Sequence, residues 1–224
     1  MPYGPAHTIP AFAAARQSLR ARTHWLAEAK RDAAQPNPNS MVLATVDAGG
    51  LPSARVVLCK EIRVERGEVL FYTNYESRKG RELAATGRAA VVFHWDHRHR
   101  QIRIEGQVER LTEAQSDEYF AGRPWQSKLG AWSSRQSQPI ASLAAMREQV
   151  RNAARHFDID YDGPGTPEPP TVSVDIPRPL HWGGFSLKAE AIELWIEGQF
   201  RIHERVRWTR TPADSEWSAE RLQP

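Results

Sequence analysis

The sequence predicts a mainly β fold with flanking helices, in which the strands form an antiparallel barrel. Short runs rich in β-branched and aromatic residues recur at regular intervals between residues 41 and 110. Turn-forming residues separate these runs, and helical patterns lie before and after them. Such regular spacing of short strands is typical of an antiparallel barrel.

Five runs supply the predicted strands of this region. In the last run, Ile102 and Ile104 alternate with Arg103 and Glu105, which predicts one buried face and one polar face. A short helix is predicted over Arg78–Ala85. The predicted strands are Met41–Val46, Ser53–Glu61, Val69–Thr73, Ala89–Trp95 and Gln101–Arg110.

Helices flank the strands. Thr112 and Gln115 have the spacing of a capping box, and Pro124 is predicted to stop the helix that they begin. The predicted helices are Ile9–Lys30, within an amino-terminal segment 1–30, then Thr112–Gly122 and Ile140–Phe157.

The last part of the chain returns to strands after a long loop. Residues 158–180 are rich in Pro and turn formers, which predicts a loop or lid. Residues 181–224 supply the final strands, which are Ile192–Ile196 and Phe200–Thr209, paired as a hairpin, and Glu216–Leu222. Because the sequence contains no internal repeat, we predict a single domain over 1–224.

Composition limits the classes of function. The 30 Lys and Arg against 27 Asp and Glu give a formal charge of +3, too small an excess to predict nucleic-acid binding. Cys59 is the only cysteine, so an intrachain disulfide and a cysteine-based zinc cluster are excluded. No apolar run reaches the roughly eighteen residues of a membrane-spanning helix. The sequence therefore predicts a soluble, cytoplasmic protein without a membrane partner.

A row of cations near the carboxyl end predicts an anion site. On a strand, Arg201, His203 and Arg205 would share one face because side chains alternate. Guanidinium and imidazole groups in a row suit a phosphorylated, ring-bearing small molecule. The alternative is a solvated basic strand.

Two other groups would also suit phosphates. Arg78 and Lys79 follow Ser77 where a helix is predicted to begin, so backbone N–H groups and cations would form a cradle there; an ordinary helix cap is the alternative. Tyr119 and Arg123 are four residues apart on a predicted helix. With Ser127 and Lys60 they would hold a second phosphate, and a solvated helix end is the alternative.

A histidine-rich loop is not predicted to bind metal. His94, His97 and His99 lie in a predicted hairpin loop, without a distant carboxylate or cysteine at ligand spacing. The loop also lacks the aromatic ladder expected of a nucleic-acid interface. We therefore predict neither a metal ion nor a nucleic-acid partner.

The ordered set of motifs resembles the flavin-dependent pyridoxamine 5'-phosphate oxidases. The resemblance runs from about Met41 to the end of the chain. It rests on MVLATVDAGGLPSARVVLCK, FYTNYESRKG, the Tyr-Phe-x-x-Arg-Pro-x-x-Ser-x-x-Gly-Ala-Trp block from Tyr119 to Trp132, Gln136-Ser137, WGGF and RIHER.

The resemblance implies a split β-barrel that forms a homodimer, with FMN in each cleft between subunits. It also implies oxidation of pyridoxamine or pyridoxine 5'-phosphate at the C4' carbon. Dioxygen would be the final acceptor, giving hydrogen peroxide, with ammonia released from the amine. By position, the flavin-contacting residues would be Arg55, Val56, Val57, Leu58, Cys59, Lys60, Tyr72, Thr73, Arg78, Lys79, Gln101, Gln136, Ser137, Trp195 and Arg205.

The same resemblance assigns the substrate residues. Lys60, Tyr119, Arg123 and Ser127 would hold the substrate phosphate, and Arg201 and His203 would lie beside the pyridine ring as the catalytic pair. Two alternatives remain open, a flavin oxidase of another reduced heterocycle and a non-catalytic binder of FMN or pyridoxal phosphate. The departures from the family pattern are Leu143, Leu194, Ile196 and Glu204, and they leave substrate preference open.

Overall fold

The computed structural model describes residues 24–32, 34–161, 163, 175–210 and 216–224. Its strands are β1 (Ser40–Val46), β2 (Pro52–Leu58), β3 (Glu61–Arg63), β4 (Glu68–Asn74), β5 (Arg88–Trp95), β6 (Arg100–Arg110), β7 (Trp182–Ile196), β8 (Glu204–Thr209) and β9 (Ser218–Leu222). They form one nine-stranded sheet in the order β2-β1-β5-β6-β7-β4-β3, and β8 joins β7 to β9. The predicted mainly β fold with flanking helices is confirmed.

Alternating burial explains the strands. Met41 and Leu43 of β1 are buried, as are Ile102 and Ile104 of β6, while the residues between them face outward. The predicted strand Ser53–Glu61 is wrong as a single element, because the chain leaves β2 at Leu58 and changes its hydrogen-bonding partner.

The change of partner occurs at two residues. Cys59 N donates to Asn39 O at 2.9 Å, beside the start of β1, and Lys60 N donates to Leu70 O at 2.9 Å, on β4. Lys60 is exposed in this connection, and β3 then pairs antiparallel with β4. The two cations of this segment, Arg55 and Lys60, therefore do not belong to one regular strand.

The helices are α1 (residues 24–31), α2 (Arg78–Thr86), α3 (Glu113–Ala121), α4 (Trp125–Ser133) and α5 (Leu143–His156). The capping box of Thr112 and Gln115 is confirmed at the start of α3. Helix α3 ends at Ala121, before Pro124, and Pro124 also caps the start of α4, a helix that the sequence patterns did not predict. The part of the predicted helix Ile9–Lys30 before residue 24 lies outside the described residues. None of the helices in the described ranges combines the length and apolar character needed to cross a bilayer.

The chain divides into two compact units, each assembled from the described residues of separate segments. One contains 1–71, 85–109 and 186–224, and the other contains 72–84 and 110–185. The single domain over 1–224 stays a prediction.

The second unit contains both described ends of the predicted loop 158–180. Ile159 and Ile176 are buried in a cluster with Trp125, Leu129 and Ala154. Residues 175–179 have no regular secondary structure, as predicted. Most of the segment between these ends lies outside the described residues, so its role as a lid stays a prediction.

In the first unit, a buried arginine fixes α1 to the sheet. Arg100 begins β6, and its Nη1 lies 2.6 Å from Glu28 Oε2, while its guanidinium carbon lies 4.9 Å from the ring centroid of Trp25. Burial alone would raise the pKa of Glu28, but the hydrogen bond and charge of Arg100 outweigh it, so the pKa lies below its ordinary value. Arg98 pairs with Asp32 at 3.1 Å, which adds a second contact.

Acid is expected to weaken this attachment. Because the pKa of Glu28 is lowered in the folded state, its stabilisation is present at neutral pH and is lost as pH falls through that lowered value. Glu28→Gln should cost about 1–2 kcal/mol of unfolding free energy at neutral pH. Thermal melts across the carboxylate range, about pH 5 to 3, measure it. The gap between Glu28→Gln and the native chain should shrink with acid, and a constant gap would contradict the assignment.

Candidate functional site

The first candidate group surrounds Lys79 at the start of α2. Lys79 is 8% exposed, and its Nζ donates to Gln136 Oε1 at 2.7 Å and to Ser77 Oγ at 3.2 Å. Thr73 Oγ1, from β4, donates to the same Gln136 oxygen at 3.2 Å. The structure thus brings together three predicted flavin residues, Thr73, Lys79 and Gln136, which are far apart in sequence. We call these residues with Ser77, Arg78 and Ser137 the Lys79 cluster.

The loop before α2 holds this cluster in place. Arg78 N donates to Ser137 Oγ at 3.1 Å, and Arg78 Nε binds Glu82 at 2.8 Å. A side chain at Gly80 would put its Cβ 2.2 Å from Tyr75 O, so only glycine allows the chain to wrap this closely. The cations of Arg78 and Lys79 beside the hydroxyls of Ser77 and Ser137 are a combination that suits a phosphate.

A cleft of about 770 Å³ adjoins the Lys79 cluster. It is lined by Gln136, Ser137 and neighbouring residues of the segment between α4 and α5, together with Asn74 and His181. Its size and polar lining suit a nucleotide-sized ligand.

The second candidate group is an aromatic stack topped by a cation, which we call the Arg123 cluster. Tyr72 and Tyr119 stack at 3.7 Å between ring centroids, and Trp182 lies 5.6 Å from Tyr72. The guanidinium carbon of Arg123 lies 4.4 Å from the Trp182 centroid and 5.4 Å from that of Phe120. Aromatic faces therefore hold the guanidinium, because they attract cations.

Arg123 carries a buried donor that is not used by the described part of the protein. Its Nη1 is buried without a hydrogen-bond partner. Burial lowers the pKa of Arg123, and the charge interaction with Tyr119 raises it by less. A half-buried cation whose Nη1 is not used by the described residues is suited to an anionic ligand, which would offset the cost of burial.

The prediction that Tyr119 and Arg123 share a helix face is wrong, although the two residues do lie close to the same ring. Helix α3 ends at Ala121, and Arg123 N donates to Phe120 O in the turn that follows. Trp182 brings the two residues together instead, because both lie against its ring. Ser127 lies in the first turn of α4, where its N donates to Pro124 O.

The first unit contains a third group, on one face of β6, β7 and β8. Trp195 pairs with Arg205 in the β7–β8 register, so both side chains share this face. His203 packs on Trp195 with 4.7 Å between ring centroids. Gly198 N donates to His203 Nδ1 at 3.2 Å, so the neutral ring carries its proton on Nε2. We call Arg103, Glu193, Trp195, His203 and Arg205 the Glu193 group.

The prediction that Arg201, His203 and Arg205 share one strand face is wrong. Strand β8 begins only at Glu204, and Arg201 ends a short 3-10 turn, Gln199–Arg201. Phe200 and Arg201 have left-handed φ values of 53° and 65°, which reverse the chain before the strand. Exposed Arg201 therefore reaches its position from a turn, and the predicted strand Phe200–Thr209 is shorter by four residues.

This turn requires a glycine at its start. A Cβ at Gly198 would lie 1.7 Å from Ile202 O, so Gly198→Ala must displace the backbone that carries Arg201 and His203. We expect a loss of about 2–4 kcal/mol in unfolding free energy.

Gly130→Ala is the matched control for that substitution. Among the described residues, no atom outside the adjacent residues and the backbone of the same helix lies within 4 Å of its added Cβ, and Gly130 is inside α4, so stability should hold or rise slightly. Thermal melts of the two variants and of the native chain measure the difference. Equal behaviour of the two variants would show that the turn does not depend on Gly198.

Other predicted flavin residues of the first unit are spread along its strands. Arg55 binds the hydroxyls of Thr45 and Ser53 and donates to Leu43 O at 3.2 Å. Gln101 is on the same side of β6 as Arg103, since residues two apart share a face. Val56 is 65% exposed on the opposite face of β2 from Arg55.

Each unit therefore gathers some of the predicted residues. The second unit contains two separate groups, one with Thr73, Lys79 and Gln136 and one with Tyr72, Tyr119 and Arg123. The first unit contains one group, with Trp195, His203 and Arg205. Lys60 belongs to the first unit, and the other predicted phosphate ligands, Tyr119, Arg123 and Ser127, belong to the second. The flavin and substrate roles of all these residues stay predictions.

Three residues with a part in these groups were not assigned a role from the sequence. Trp182 was noted only as a motif letter, although it carries Arg123. Glu193 and Arg103 form ion pairs in the Glu193 group. A single charged residue inside the otherwise apolar run 191–196, AIELWI, was the available signal for Glu193.

The histidine-rich loop makes a contact that its local sequence did not suggest. His99 Nδ1 binds Glu197, and Glu197 N donates to His99 O at 2.9 Å. Within the described ranges, no three His, Cys, Asp or Glu side chains gather closely enough to hold a metal ion.

Two family models match the chain. One, described as pyridoxamine 5'-phosphate oxidase, matches residues 27–156. The other, described as pyridoxine 5'-phosphate oxidase C-terminal dimerisation region, matches residues 182–224.

Curated relatives match over nearly the full chain. A pyridoxine/pyridoxamine 5'-phosphate oxidase of Cereibacter sphaeroides is 46% identical over 201 residues, which cover 89% of this chain and 91% of the relative. One from Brucella anthropi is 41% identical over 214 residues, covering 95% and 97%.

Solved structures share the fold. PhzG from Burkholderia lata 383, in complex with tetrahydrophenazine-1-carboxylic acid, has a TM-score of 0.77 and 30% identity, and 92% of each chain is covered. A pyridoxamine 5'-phosphate oxidase-related, FMN binding protein from Nostoc punctiforme has a TM-score of 0.66 and 16% identity, covering 92% of this chain and 96% of that chain. The predicted split β-barrel fold class is confirmed.

Proposed function

Because the chain belongs to the pyridoxamine 5'-phosphate oxidase family, we propose that it binds FMN and oxidises pyridoxamine or pyridoxine 5'-phosphate to pyridoxal 5'-phosphate. Dioxygen would accept the two electrons and become hydrogen peroxide, and with the amine substrate water would hydrolyse the resulting imine and release ammonia. The observation that carries the proposal is the half-buried Arg123 guanidinium against the Trp182 ring, whose buried Nη1 has no hydrogen-bond partner among the described residues. A phosphate ester supplies the charge and the acceptors that this site favours.

The Lys79 cluster fits the phosphate end of FMN. Its buried ammonium and the neighbouring hydroxyls of Ser77 and Ser137 favour an anion, and the adjoining cleft of about 770 Å³ leaves room for the rest of a nucleotide. Lys79, Gln136 and Ser137 would hold this cofactor with Arg55 and Arg205. When bound, FMN would supply the two-electron chemistry, and the protein would supply binding and alignment.

Arg201 and His203 are proposed to position the substrate ring. His203 offers its Nε2–H as a donor because Nδ1 already accepts from Gly198 N. Arg201, exposed on its turn, is the residue that we propose assists at C4'. Arg201→Ala should lower kcat/KM at least about tenfold, since misaligned groups lose effective concentration. An unchanged kcat/KM in steady-state assays would contradict this role.

We also propose a homodimer with FMN at the subunit interface. The outer faces of β1, β2 and β5 are apolar, and Val56 and Leu58 are 65% and 41% exposed. Val42 pairs with Val56 on one side and Val92 on the other, so the apolar side chains are contiguous. Contiguous exposed apolar surface is typical of an interface, and the matched dimerisation region supports the same state. We place this homodimer in the cytoplasm, where the buried Cys59 thiol stays reduced.

One observation favours a second candidate function. The likeness to PhzG, with 30% identity, extends over 92% of this chain, so a reduced heterocycle is the alternative substrate class. The Arg123 cluster separates the two candidates, since a heterocyclic carboxylic acid has no phosphate ester to occupy it.

An absorption spectrum taken before and after anaerobic addition of substrate tests the proposal. The purified protein should show a flavin band that pyridoxamine 5'-phosphate bleaches, and admitting air should restore the band and release peroxide. Pyridoxamine without its phosphate should bleach the band far more slowly. A preparation that stays colourless when FMN is added would overturn the proposal. A band that only reduced heterocycles bleach would favour the second candidate, and a band that nothing bleaches would indicate a non-catalytic binder.

A further inference from the structure

Glu193 is a buried carboxylate held between two guanidinium groups. It is 4% exposed, on the same face of β7 as Trp195. Arg205 Nε and Nη2 lie 2.9 and 2.7 Å from its Oε1, and Arg103 Nη2 lies 2.8 Å from its Oε2. The Arg103 contact is an ion pair by distance rather than an aligned hydrogen bond. A charge buried to this extent is tolerated only when partners of opposite charge surround it.

Glu193 of β7 binds Arg205 of β8, which is not the residue directly opposite it. In the β7–β8 register Glu193 lies opposite Arg207, while Arg205 lies opposite Trp195. Arg207 nevertheless binds Glu105, at 2.9 Å, which leaves Glu193 to fix Arg205. These bonds therefore draw the Arg205 guanidinium toward Glu193, although Arg205 lies opposite Trp195 in the register.

The bonds of Arg205 define what it can still offer to a ligand. Nε and Nη2 bind Glu193, and Nη1 donates to Gln223 O at 3.0 Å. A guanidinium has five N–H donors, so one N–H on each terminal nitrogen is not used by these described contacts. Two carboxylate contacts and one carbonyl contact therefore fix the direction in which the remaining donors point.

We propose that Glu193 is a positioning residue for the flavin site, with Arg103 as its second support. It acts through Arg205 and does not contact the ligand itself. The inference rests on the proposed function, because it takes FMN as the ligand of Arg205. Without the carboxylate, Arg103 and Arg205 would repel each other, and the long Arg205 side chain would regain its rotamer freedom.

Fluorescence quenching of FMN by titrated apoprotein tests the proposal without relying on turnover. Glu193→Gln keeps the shape and removes the charge, and it should weaken FMN binding about 10- to 100-fold. Glu190→Gln is the matched control, because Glu190 lies on the same strand and pairs with Arg88 at 2.7 Å. That control should change the Kd less than about threefold.

A double-mutant cycle separates positioning from general damage to the fold. In an Arg205→Ala background, Glu193→Gln should change the FMN Kd less than about twofold, because its effect passes through Arg205. If Glu193→Gln binds FMN as the native chain does, or weakens binding equally in both backgrounds, the inference is overturned. If the native apoprotein itself fails to bind FMN, the proposed function fails first.

Arg103→Gln keeps the test decisive if Glu193→Gln does not fold. It removes the second support but retains the buried carboxylate and its bonds to Arg205. The Kd for FMN should rise about 3- to 10-fold in this variant. An unchanged Kd would overturn the supporting role assigned to Arg103.

Discussion

Lys79→Met is expected to weaken FMN binding by about 30- to 1,000-fold, the range of a lost buried, charge-assisted contact worth about 2–4 kcal/mol. The substitution keeps the unbranched stem and removes the ammonium that meets Gln136 Oε1 at 2.7 Å and Ser77 Oγ at 3.2 Å. Gln136 would then retain Thr73 as its donor and lose its fixed orientation. The FMN phosphate would therefore lose the positive charge of Lys79, and the side chains around the phosphate would be less well ordered.

Titration of apoprotein with FMN, followed by flavin fluorescence, measures this loss. Lys188→Met is the matched control, since Lys188 is 42% exposed and pairs with Glu109 on the surface. It should change the Kd less than about threefold. A Kd for Lys79→Met within threefold of the native value would show that the Lys79 cluster is not the phosphate site.

Arg123→Leu is expected to raise the KM for pyridoxamine 5'-phosphate about 100-fold or more, while the melting temperature holds or rises. The native guanidinium loses solvation by partial burial, its Nη1 has no hydrogen-bond partner in the described ranges, and its pKa is lowered. Removing it relieves a desolvation cost of about 1–3 kcal/mol and loses a cation–π contact of similar size. The substrate phosphate would lose its charged partner without compensation.

Steady-state kinetics and thermal melts on the same preparations distinguish binding from folding. Arg110→Leu is the matched control, because Arg110 also lies on an aromatic ring, 4.1 Å from the Tyr75 centroid, but is exposed. Its KM should stay within about threefold of the native value. A large fall in melting temperature for Arg123→Leu, with KM unchanged in the folded fraction, would make Arg123 a structural residue.

Local patterns predicted those parts of the fold whose signals are self-contained. The capping box of Thr112 and Gln115 works within one turn, and it begins α3 as predicted. The alternation of Ile102 and Ile104 with polar residues is likewise a property of one strand, and β6 follows it. These features need no information from distant parts of the chain.

Other elements depended on contacts that the local sequence does not reveal. The first half of β7 was missed because Gly183 and Gly184 have low strand propensity. Gly183 is needed there because a Cβ would lie 2.0 Å from the Tyr75 hydroxyl. Helix α4 was missed because Pro124 suits both the end of one helix and the start of the next.

The sequence indicated the basic and hydroxyl residues of the candidate groups, but it did not indicate the residues that hold them in position. Basic and hydroxyl residues near Lys79 and Arg123 were visible as motifs, since phosphate sites use a small set of side chains. Glu193 was not assigned, because its importance arises only when β6, β7 and β8 bring two guanidiniums to it. The left-handed turn at Phe200 and Arg201 had no local signature, because neither residue type favours positive φ.

Near the end of β4, the neighbouring residues Tyr72 and Thr73 belong to different clusters. Tyr72 stacks on Tyr119 in the Arg123 cluster, whereas Thr73 donates to Gln136 in the Lys79 cluster. Successive strand residues project to opposite sides, so a single peptide unit divides the two neighbourhoods. Substitutions at Tyr72 and at Thr73 should therefore act on different clusters, so that the aromatic stack around Arg123 can be altered while the hydrogen bond between Thr73 and Gln136 is kept.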